Sequence, residues 1–271
     1  MSVPKEWVEG RELRPGCLVS AEVVDEGLLL KPLEKSMDET KKIKVKRIEG
    51  CNEQDVIRAY LAGYEEIEIE KPSESLRKGG LERLLNLLVG LEVVEDRGQK
   101  LVLHCFVKDG YDVRGVLSRM DSIARSMYVD SSVALESMDF DVLRSVRERD
   151  DRLDRLYFLA VRIIRSAIQS PFTDSGERLF LVDSRVAAKL LEEIGDEAEH
   201  MTYMEPYKGL SETAILVANC QEEAVNGFLN KKRGTQCKDV LNQADAWREL
   251  GGAWVSLSRI ASLVQDLMQL V

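Results

Sequence analysis

The second half of this chain carries apolar residues at helical spacing with little interruption. One stripe begins at Val113, and a second runs over residues 142–167. Residues three and four apart lie on one face of a helix, so each stripe predicts a helix that buries one side against its neighbours. The second helix is expected to begin after Asp139, its N-cap, and to extend for about thirty residues. This pattern requires a helical bundle from about residue 110 onward.

Two of the predicted helices carry carboxylates four residues apart. Asp150 is paired with Asp154 in the second helix, and Glu192 with Asp196 in the third. Side chains at this spacing lie one above the other, where like charges repel. If the two pairs face each other, they form a four-carboxylate cluster, which is costly unless a cation fills it or water solvates it. Gly195 indicates a close approach by a helix or ligand at this point, because glycine within a helix costs about 1 kcal/mol relative to alanine.

The alternative interpretation of both acidic pairs is a solvated helix face. Lys189 lies three residues before Glu192, and arginines surround the first pair, so ion pairs worth less than about 1 kcal/mol each could hold these carboxylates. The arginines are Arg147, Arg149, Arg152 and Arg155. His200 follows Asp196 by four residues. A single helical histidine is more often a surface residue than a ligand, so we expect His200 to lie outside any metal site.

Further helices complete the predicted bundle. The third helix is expected to begin at Asp183 or Ser184, after a loop over residues 171–182, and to end near Tyr203. Three more are predicted at residues 211–229, 236–250 and 253–270, and Gly251-Gly252 separates the last two. The chain from residue 110 is therefore expected to form two successive three-helix units, residues 110–206 and 207–271.

A small α/β domain is predicted for residues 42–109. Its strands are expected at residues 43–48, 66–70, 91–95 and 100–107, and its helices at 52–63 and 76–90. We interpret the basic run at residues 41–47 as a solvated strand face, although an anion or nucleic-acid strip has the same pattern. The fold class is α+β and mostly α. We find neither a glycine-rich phosphate loop nor a nucleophile elbow, so an enzyme is not expected.

Composition restricts the partners and the compartment. The net charge of −10 repels DNA and anionic lipid at long range. No apolar stretch is long enough for a membrane span, and the N-terminus lacks a signal core, so a cytoplasmic protein without membrane insertion is expected. Five scattered cysteines without a CxxC spacing favour reduced thiols over disulfides. They are Cys17, Cys51, Cys105, Cys220 and Cys237.

Residues 1–33 form a segment of their own, joined to the α/β domain by a charged linker at residues 34–41. The sequence predicts a short helix at Pro4 and a hairpin around Asp25-Glu26-Gly27. Its runs PKEW, RPGCLV and DEGLLL resemble the second half of the AbrB-type swapped-hairpin domain. That resemblance implies a dimerising or DNA-binding module.

The DNA contacts implied by this resemblance are Lys5, Arg11 and Arg14. Two observations disfavour DNA contact. The family's leading strand, which carries most of its DNA-contacting arginines, would precede Met1, and residues 1–33 hold six acidic but only four basic side chains. We therefore favour a β element that docks onto the rest of the chain over a DNA-binding module, and dimerisation through this segment stays an open alternative.

The two acidic segments, RERDDRLDRLY and LEEIGDEAEH, resemble the motifs of the PhoU family of phosphate-uptake regulators. In that family an acidic residue is followed by three others and an aspartate, in the second and third helices of repeated three-helix units. The resemblance implies a non-enzymatic regulator that contacts phosphate transporter or sensor components. It implies that a divalent or trivalent metal ion (Fe, Mn, Zn or Mg) binds to four residues. These are Asp150, Asp154, Glu192 and Asp196.

The second unit departs from the family pattern. Asp245 and Glu249 keep the charge of the first motif, but Ser258 and Ser262 occupy the positions of the second. Serine hydroxyls are poor replacements for carboxylates as ligands of a hard cation. A metal is therefore expected in the first unit only.

The combination of an AbrB-like segment, an α/β domain and PhoU-like helices is similar to an archaeal branch of phosphate-uptake or transcription regulators. The expected function is a metal-binding, homodimeric regulator of phosphate homeostasis that acts through protein contacts. The alternative is a DNA-binding transcriptional regulator of the AbrB–PhoU fusion type. A di-metal carboxylate enzyme is the least favoured, because such bundles use Glu-x-x-His motifs on facing helices and we expect no such spacing in this chain.

Overall fold

A computed structural model describes most of the chain. The described residues are 3–10, 13–24, 27–32, 44–107, 111–170, 173–205, 207–232 and 237–270. The linker at residues 34–41, Arg11 and the predicted turn residues 25 and 26 lie outside them.

The N-terminal segment contains a short helix and a two-stranded hairpin. Helix α1 is Lys5–Gly10, and strands β1 (Val19–Val24) and β2 (Gly27–Pro32) pair antiparallel with Val24 opposite Gly27. The predicted hairpin is confirmed for these described strands. Val23 and Leu28 on it are exposed to solvent.

The α/β domain has a four-stranded mixed sheet of order β3-β4-β6-β5. Strand β3 runs parallel to β4, and the other neighbours are antiparallel. The elements are β3 (Val45–Glu49), α2 (Glu53–Leu61), β4 (Glu66–Glu70), α3 (Leu81–Leu87), β5 (Leu91–Asp96) and β6 (Lys100–Cys105). Arg47 Nε lies 3.0 Å from Glu68 Oε2 across the β3–β4 pair, as expected for a charged face on each strand.

The helix predicted at residues 76–90 is shorter and begins irregularly. A wide turn at Leu76–Gly80 precedes α3, and Lys78 and Gly79 within it leave helical geometry. Gly79 has a φ of 96°, which a side chain would oppose. The Gly79-Gly80 pair therefore explains why a regular helix begins only at Leu81.

The rest of the chain is a helical bundle. Its helices are α4 (Val113–Ser137), α5 (Phe140–Gln169), α6 (Ser175–Met201), α7 (Leu210–Asn230), α8 (Lys238–Leu241), α9 (Ala244–Arg248) and α10 (Ala253–Met268). The predicted N-cap of α5 is confirmed, since Asp139 Oδ1 accepts hydrogen bonds from the backbone N–H groups of Asp141 and Val142 at 3.2 Å. Among the described residues, no helix is long and apolar enough to cross a membrane.

One hydrophobic core runs from α4 to α10. A buried polar contact also joins the two predicted units, because Gln221 of α7 donates a hydrogen bond to Asp121 Oδ1 of α4 at 2.9 Å. The hydroxyl of Tyr128, also on α4, donates to Gln221 at 3.1 Å. The helices from α7 onward therefore complete the core that α4, α5 and α6 begin.

The predicted start of the third helix is wrong. Helix α6 begins at Ser175, and its N-cap is Asp174, whose Oδ1 accepts from the backbone N–H of Glu177 at 2.9 Å. Leu179, Val182 and Val186 are exposed on this first part of the helix, so its apolar pattern is not that of one buried stripe. This mixed pattern explains why the sequence favoured a loop over residues 171–182.

The helix predicted at residues 236–250 is also wrong. Two short helices, α8 and α9, stand in its place, separated by a turn at Asn242 and Gln243. Leu241, Ala244 and Trp247 are all buried at intervals of three residues, which is the spacing that predicted one helix. Asn242 lies in the break, and asparagine is a weak helix former.

The expectation of five reduced cysteines is wrong for one pair. Cys220 of α7 forms a disulfide with Cys237, and their Cα atoms are 5.3 Å apart. This separation lies within the range of Cα distances that a disulfide spans. Cys17, Cys51 and Cys105 are free thiols.

Candidate metal centre

Helices α5 and α6 bring three carboxylates together. Asp154, Glu192 and Asp196 each offer an oxygen atom, and these atoms all lie within 4.8 Å of one another. Asp154 and Glu192 are half-buried, and Asp196 is exposed at the edge. We call these three residues the acidic cluster. The i, i+4 spacing of Glu192 and Asp196 places both on the side of α6 that faces Asp154 of α5.

Asp150 lies beside the acidic cluster rather than within it. Burial, followed by the charges of Asp154, Glu199 and Asp196, raises the pKa of this carboxyl from 3.8 to about 7. Asp150 therefore feels the same negative field as the other three. It extends the group by one turn toward the N-terminal end of α5.

The electrostatics of the cluster oppose three simultaneous negative charges. Burial, followed by the charges of Glu192 and Asp196, raises the pKa of Asp154 to about 6. Burial and the charge of Glu192 also raise the pKa of Asp196 to about 6. A cation between the carboxylates would remove this repulsion, because it favours their ionised form.

Lysine supplies part of that positive charge. Lys189 forms an ion pair with Glu192, and its Nζ lies 3.4 Å from Glu193 Oε1. The ion pair that the alternative interpretation predicted is confirmed, but the side chain of Glu192 is only 14% accessible and does not lie on a solvated face. A metal ion at the cluster would compete with Lys189 for the same carboxylate.

The arginines of α5 do not play the same part for the first acidic pair. Within the described chain, neither Asp150 nor Asp154 forms an ion pair. Arg149 instead pairs with Asp130 Oδ2 at 2.7 Å, and Arg147 lies 4.8 Å from the ring centre of Tyr203. The alternative interpretation predicted ion pairs between these arginines and the first acidic pair, and that prediction is wrong.

Gly195 makes the close helix contact possible. A Cβ atom at this position would overlap Leu153 Cδ2 and would lie 3.5 Å from Asp150 Oδ1. Leu153 is fully buried, so it has little room to move. The predicted close approach is confirmed, and the approaching group is a leucine of α5 that sits between the two acidic pairs.

Sequence reasoning missed Glu199. Its charge is among the main causes of the raised pKa of Asp150. The hydroxyl of Tyr203 donates a hydrogen bond to Glu199 Oε1 at 3.3 Å. The signal was present in the sequence, because Glu199 lies seven residues after Glu192 and three after Asp196, which places it on the same helix face.

The expectation that the chain holds no Glu-x-x-His spacing is wrong, because one such motif occurs on α6, at Glu197 and His200. Glu197 Oε1 lies 3.0 Å from Arg259 Nε, and His200 Nδ1 lies 3.4 Å from Ser256 Oγ. Both contacts are with α10, so neither side chain joins the acidic cluster. Helix α10 presents serine and arginine here, and not a second motif of the kind a di-metal enzyme needs.

The described residues of the second unit hold no comparable cluster of metal-binding side chains. Asp245 and Glu249 are exposed, and the side chain of Asp245 is 93% accessible. Ser258 is fully buried, and Ser262 donates a hydrogen bond to its carbonyl at 3.1 Å.

The candidate DNA contacts are only partly described. Lys5 is exposed, and its Nζ lies 3.5 Å from Glu9 Oε1. Arg14 is exposed, and Arg11 falls outside the described residues. No observation places a nucleic acid on this segment. The DNA-binding alternative stays a prediction.

The donor set of the cluster suits a hard cation. Mg²⁺, Mn²⁺ and related ions prefer carboxylate oxygens, and water commonly completes their coordination. Asp154, Glu192 and Asp196 supply three such oxygens at a partly exposed edge.

The family comparison matches this part of the chain. Residues 117–203 match the model of the PhoU domain. Neither the curated proteins nor the solved structures gave a match. The matched segment runs from the first turns of α4 to the end of α6 and contains Asp150 as well as the acidic cluster. Helices α4 to α6 are thus similar to a PhoU domain, and the carboxylates lie between its second and third helices.

Proposed function

We propose that this protein is a non-enzymatic, metal-binding regulator of phosphate homeostasis that acts through protein contacts. One observation carries the proposal: the acidic cluster lies inside the segment that matches the PhoU domain. That family regulates phosphate uptake, and its match covers α4 to α6. The fusion with an AbrB-like segment, the archaeal type and a homodimer belong to the same proposal.

Asp154, Glu192 and Asp196 would hold the metal, with Asp150 as a fourth ligand or as an acceptor for a metal-bound water. The ion is divalent or trivalent, and Fe, Mn, Zn and Mg all accept carboxylate oxygens. When bound, it supplies positive charge to a cluster that otherwise repels itself. Glu192 would exchange its contact with Lys189 for the ion.

The mechanism we propose is structural. Carboxylates on α5 and α6 that repel each other favour separation of the two helices, and a shared cation favours their contact. Leu153 packs against Gly195 at the same level, so any separation there also disturbs the core. Metal would thereby fix the surface of the bundle that a cytoplasmic component of phosphate transport or phosphate sensing recognises.

Elemental analysis of the purified protein tests the metal. After incubation with Fe, Mn, Zn or Mg and removal of free ions, we expect about one metal ion per chain in the wild type. The double variant Asp154→Asn with Glu192→Gln should retain less than a tenth of it, because two of three ligands lose their charge. The matched control is Asp245→Asn with Glu249→Gln in the second unit, which should bind as the wild type does.

Two results would contradict the metal proposal. One is a wild type without stoichiometric metal under all four ions. The other is equal metal loss in the cluster variant and in the control. The regulatory role needs its own measurement: phosphate uptake in cells that carry the cluster variant should differ from uptake in cells with the wild type, and the control variant should restore the wild-type rate.

A further inference from the structure

An open groove lies where the α/β domain meets helices α4 and α5. Its volume is about 960 Å³. Val89 and Tyr111 form the side nearest the α/β domain, and residues of α4 and α5 form the rest. Tyr111 lines the groove and is 47% exposed.

Four arginines line this groove. Arg119 comes from α4, and Arg149, Arg152 and Arg155 come from α5. Asp112 is the one acidic residue among the described lining residues, and its carboxylate already accepts hydrogen bonds from the first backbone N–H groups of α4. A strongly positive groove is unexpected on a chain with a net charge of −10.

Three of the four guanidinium groups have no partner of opposite charge among the described residues. Arg149 is held by Asp130 at 2.7 Å and by Ser126 Oγ at 2.9 Å. Arg119, Arg152 and Arg155 are exposed, and none of them forms an ion pair with a described residue. Like charges this close repel one another, and an anion in the groove would reverse that effect.

We propose that this groove binds an anion that carries two or more linked phosphoryl groups. The guanidinium fork matches the geometry of phosphoryl oxygens, with two parallel hydrogen bonds to one group. The unpaired guanidinium groups belong to both walls of the groove, Arg119 on α4 and Arg152 and Arg155 on α5. Forked contacts with all three use more oxygen atoms than one orthophosphate carries, whereas a chain of phosphoryl groups supplies them.

Two sources have this chemistry: an inorganic polyphosphate chain and a nucleoside polyphosphate. Tyr111 at the rim offers a ring face on which a nucleobase can stack. The acidic side of α5 faces α6, and its arginines face the groove, so this proposal stands on observations other than those of the metal site.

Isothermal titration calorimetry of the full chain with inorganic triphosphate, in the presence of a chelator, tests the proposal. We expect saturable binding, at least tenfold tighter than that of orthophosphate. ATP is the second arm: affinity above that of triphosphate identifies a nucleotide, and equal affinity identifies the phosphate chain alone. Both of these results support the proposal.

The variant Arg152→Gln with Arg155→Gln should weaken triphosphate binding at least tenfold, and Arg119→Gln should weaken it from the opposite wall. Arg165→Gln is the matched control, because Arg165 is exposed on the same helix and does not line the groove. Circular dichroism establishes that each variant is folded. The cluster variant Asp154→Asn with Glu192→Gln should bind triphosphate as the wild type does.

Three outcomes would overturn the proposal. The first is that neither triphosphate nor ATP binds to the folded wild type. The second is equal affinity for orthophosphate and triphosphate. The third is that Arg165→Gln, or the cluster variant, weakens binding as much as the groove variants do.

Discussion

At the scale of single residues, the carboxyls between α5 and α6 are the most perturbed groups of the site. Asp150 has a pKa of about 7, and Asp154 and Asp196 have pKa values of about 6, against an ordinary value of 3.8. These carboxyls hold protons in the folded chain at pH values where the unfolded chain has released them. Metal-free protein should therefore lose stability as the pH rises from about 4 to about 7, and this loss should level off above pH 7.

Replacement of Asp154 by asparagine removes one of these titrations. The stability of Asp154→Asn minus that of the wild type should therefore be greater at pH 7 than at pH 4. Each kcal/mol of this increase should raise the difference in Tm by about 2–4 °C. Thermal unfolding in chelator, at steps between pH 4 and pH 8, measures the difference. Asp141→Asn is the control, because that side chain is 91% exposed. A variant-minus-wild-type difference that is the same at pH 4 and pH 8 would sink the idea.

The sequence was sufficient to find the four motif carboxylates, because helical spacing alone places each pair on one face. It could not show that Asp150 lies outside the group of three. That depends on the relative position of α5 and α6, which Leu153 and Gly195 set by their contact. Glu199 was within reach of the same spacing argument, because it lies three residues after Asp196 on the same helix.

At the scale of elements, helix boundaries depend on caps more than on apolar stripes. Asp139 was recognised because an apolar stripe follows it directly. Asp174 was missed because exposed leucine and valine residues interrupt the stripe after it. The turn at Asn242 was missed for the opposite reason, since buried residues continue across it at helical spacing.

The two candidate caps of α6 can be told apart by substitution. Asp174→Ala should destabilise the protein by about 1 kcal/mol, because the N–H of Glu177 loses its acceptor. Asp183→Ala should be close to neutral, because Asp183 lies within the helix and alanine is the better helix former. Urea unfolding of both variants gives the comparison. If Asp183→Ala were the more destabilising of the two, α6 would begin where the sequence first suggested.

At the scale of the whole molecule, helix α5 joins the bundle to the α/β domain. Arg162 is 5% exposed and donates a hydrogen bond to the carbonyl oxygen of Tyr60 on α2. Its guanidinium also lies 4.8 Å from the ring centre of Tyr60, whose hydroxyl donates to the carbonyl of Val89 at 3.0 Å. The division at residues 109 and 110 stays a prediction, but these contacts cross it.

Removal of the arginine should weaken this junction. Arg162→Met keeps most of the side-chain length but loses the charged donor, so we expect a loss of about 1.5–3 kcal/mol in unfolding free energy. Limited proteolysis should cut faster at residues 106–112, between β6 and α4. Arg165→Met, exposed on the same helix, is the control. Identical unfolding and cleavage for the two variants would show that the junction does not depend on Arg162.

The sequence predicted the mostly helical α+β architecture but not how the helices from α7 onward pack against α4, α5 and α6. Two successive three-helix units were expected from the repeated pattern, and this division stays a prediction. One hydrophobic core runs through both, and α7 packs on α4 through Gln221, Asp121 and Tyr128. Contacts between residues about 100 positions apart leave no periodic signal in a single sequence.

Helix α5 carries carboxylates on the side that faces α6 and arginines on the side that faces the groove. This arrangement limits the insertions and deletions that the helix can accept. Each residue turns a helix by about 100°, so one inserted residue between Val146 and Asp150 would rotate everything after it by more than a quarter turn. The carboxylates would then point away from α6, and the arginines would at the same time point away from the groove. Single substitutions alter one face at a time, but a change in length shifts both out of phase at once. The distance in sequence between Asp139 and Leu159 should therefore be far less variable than the residues that fill it.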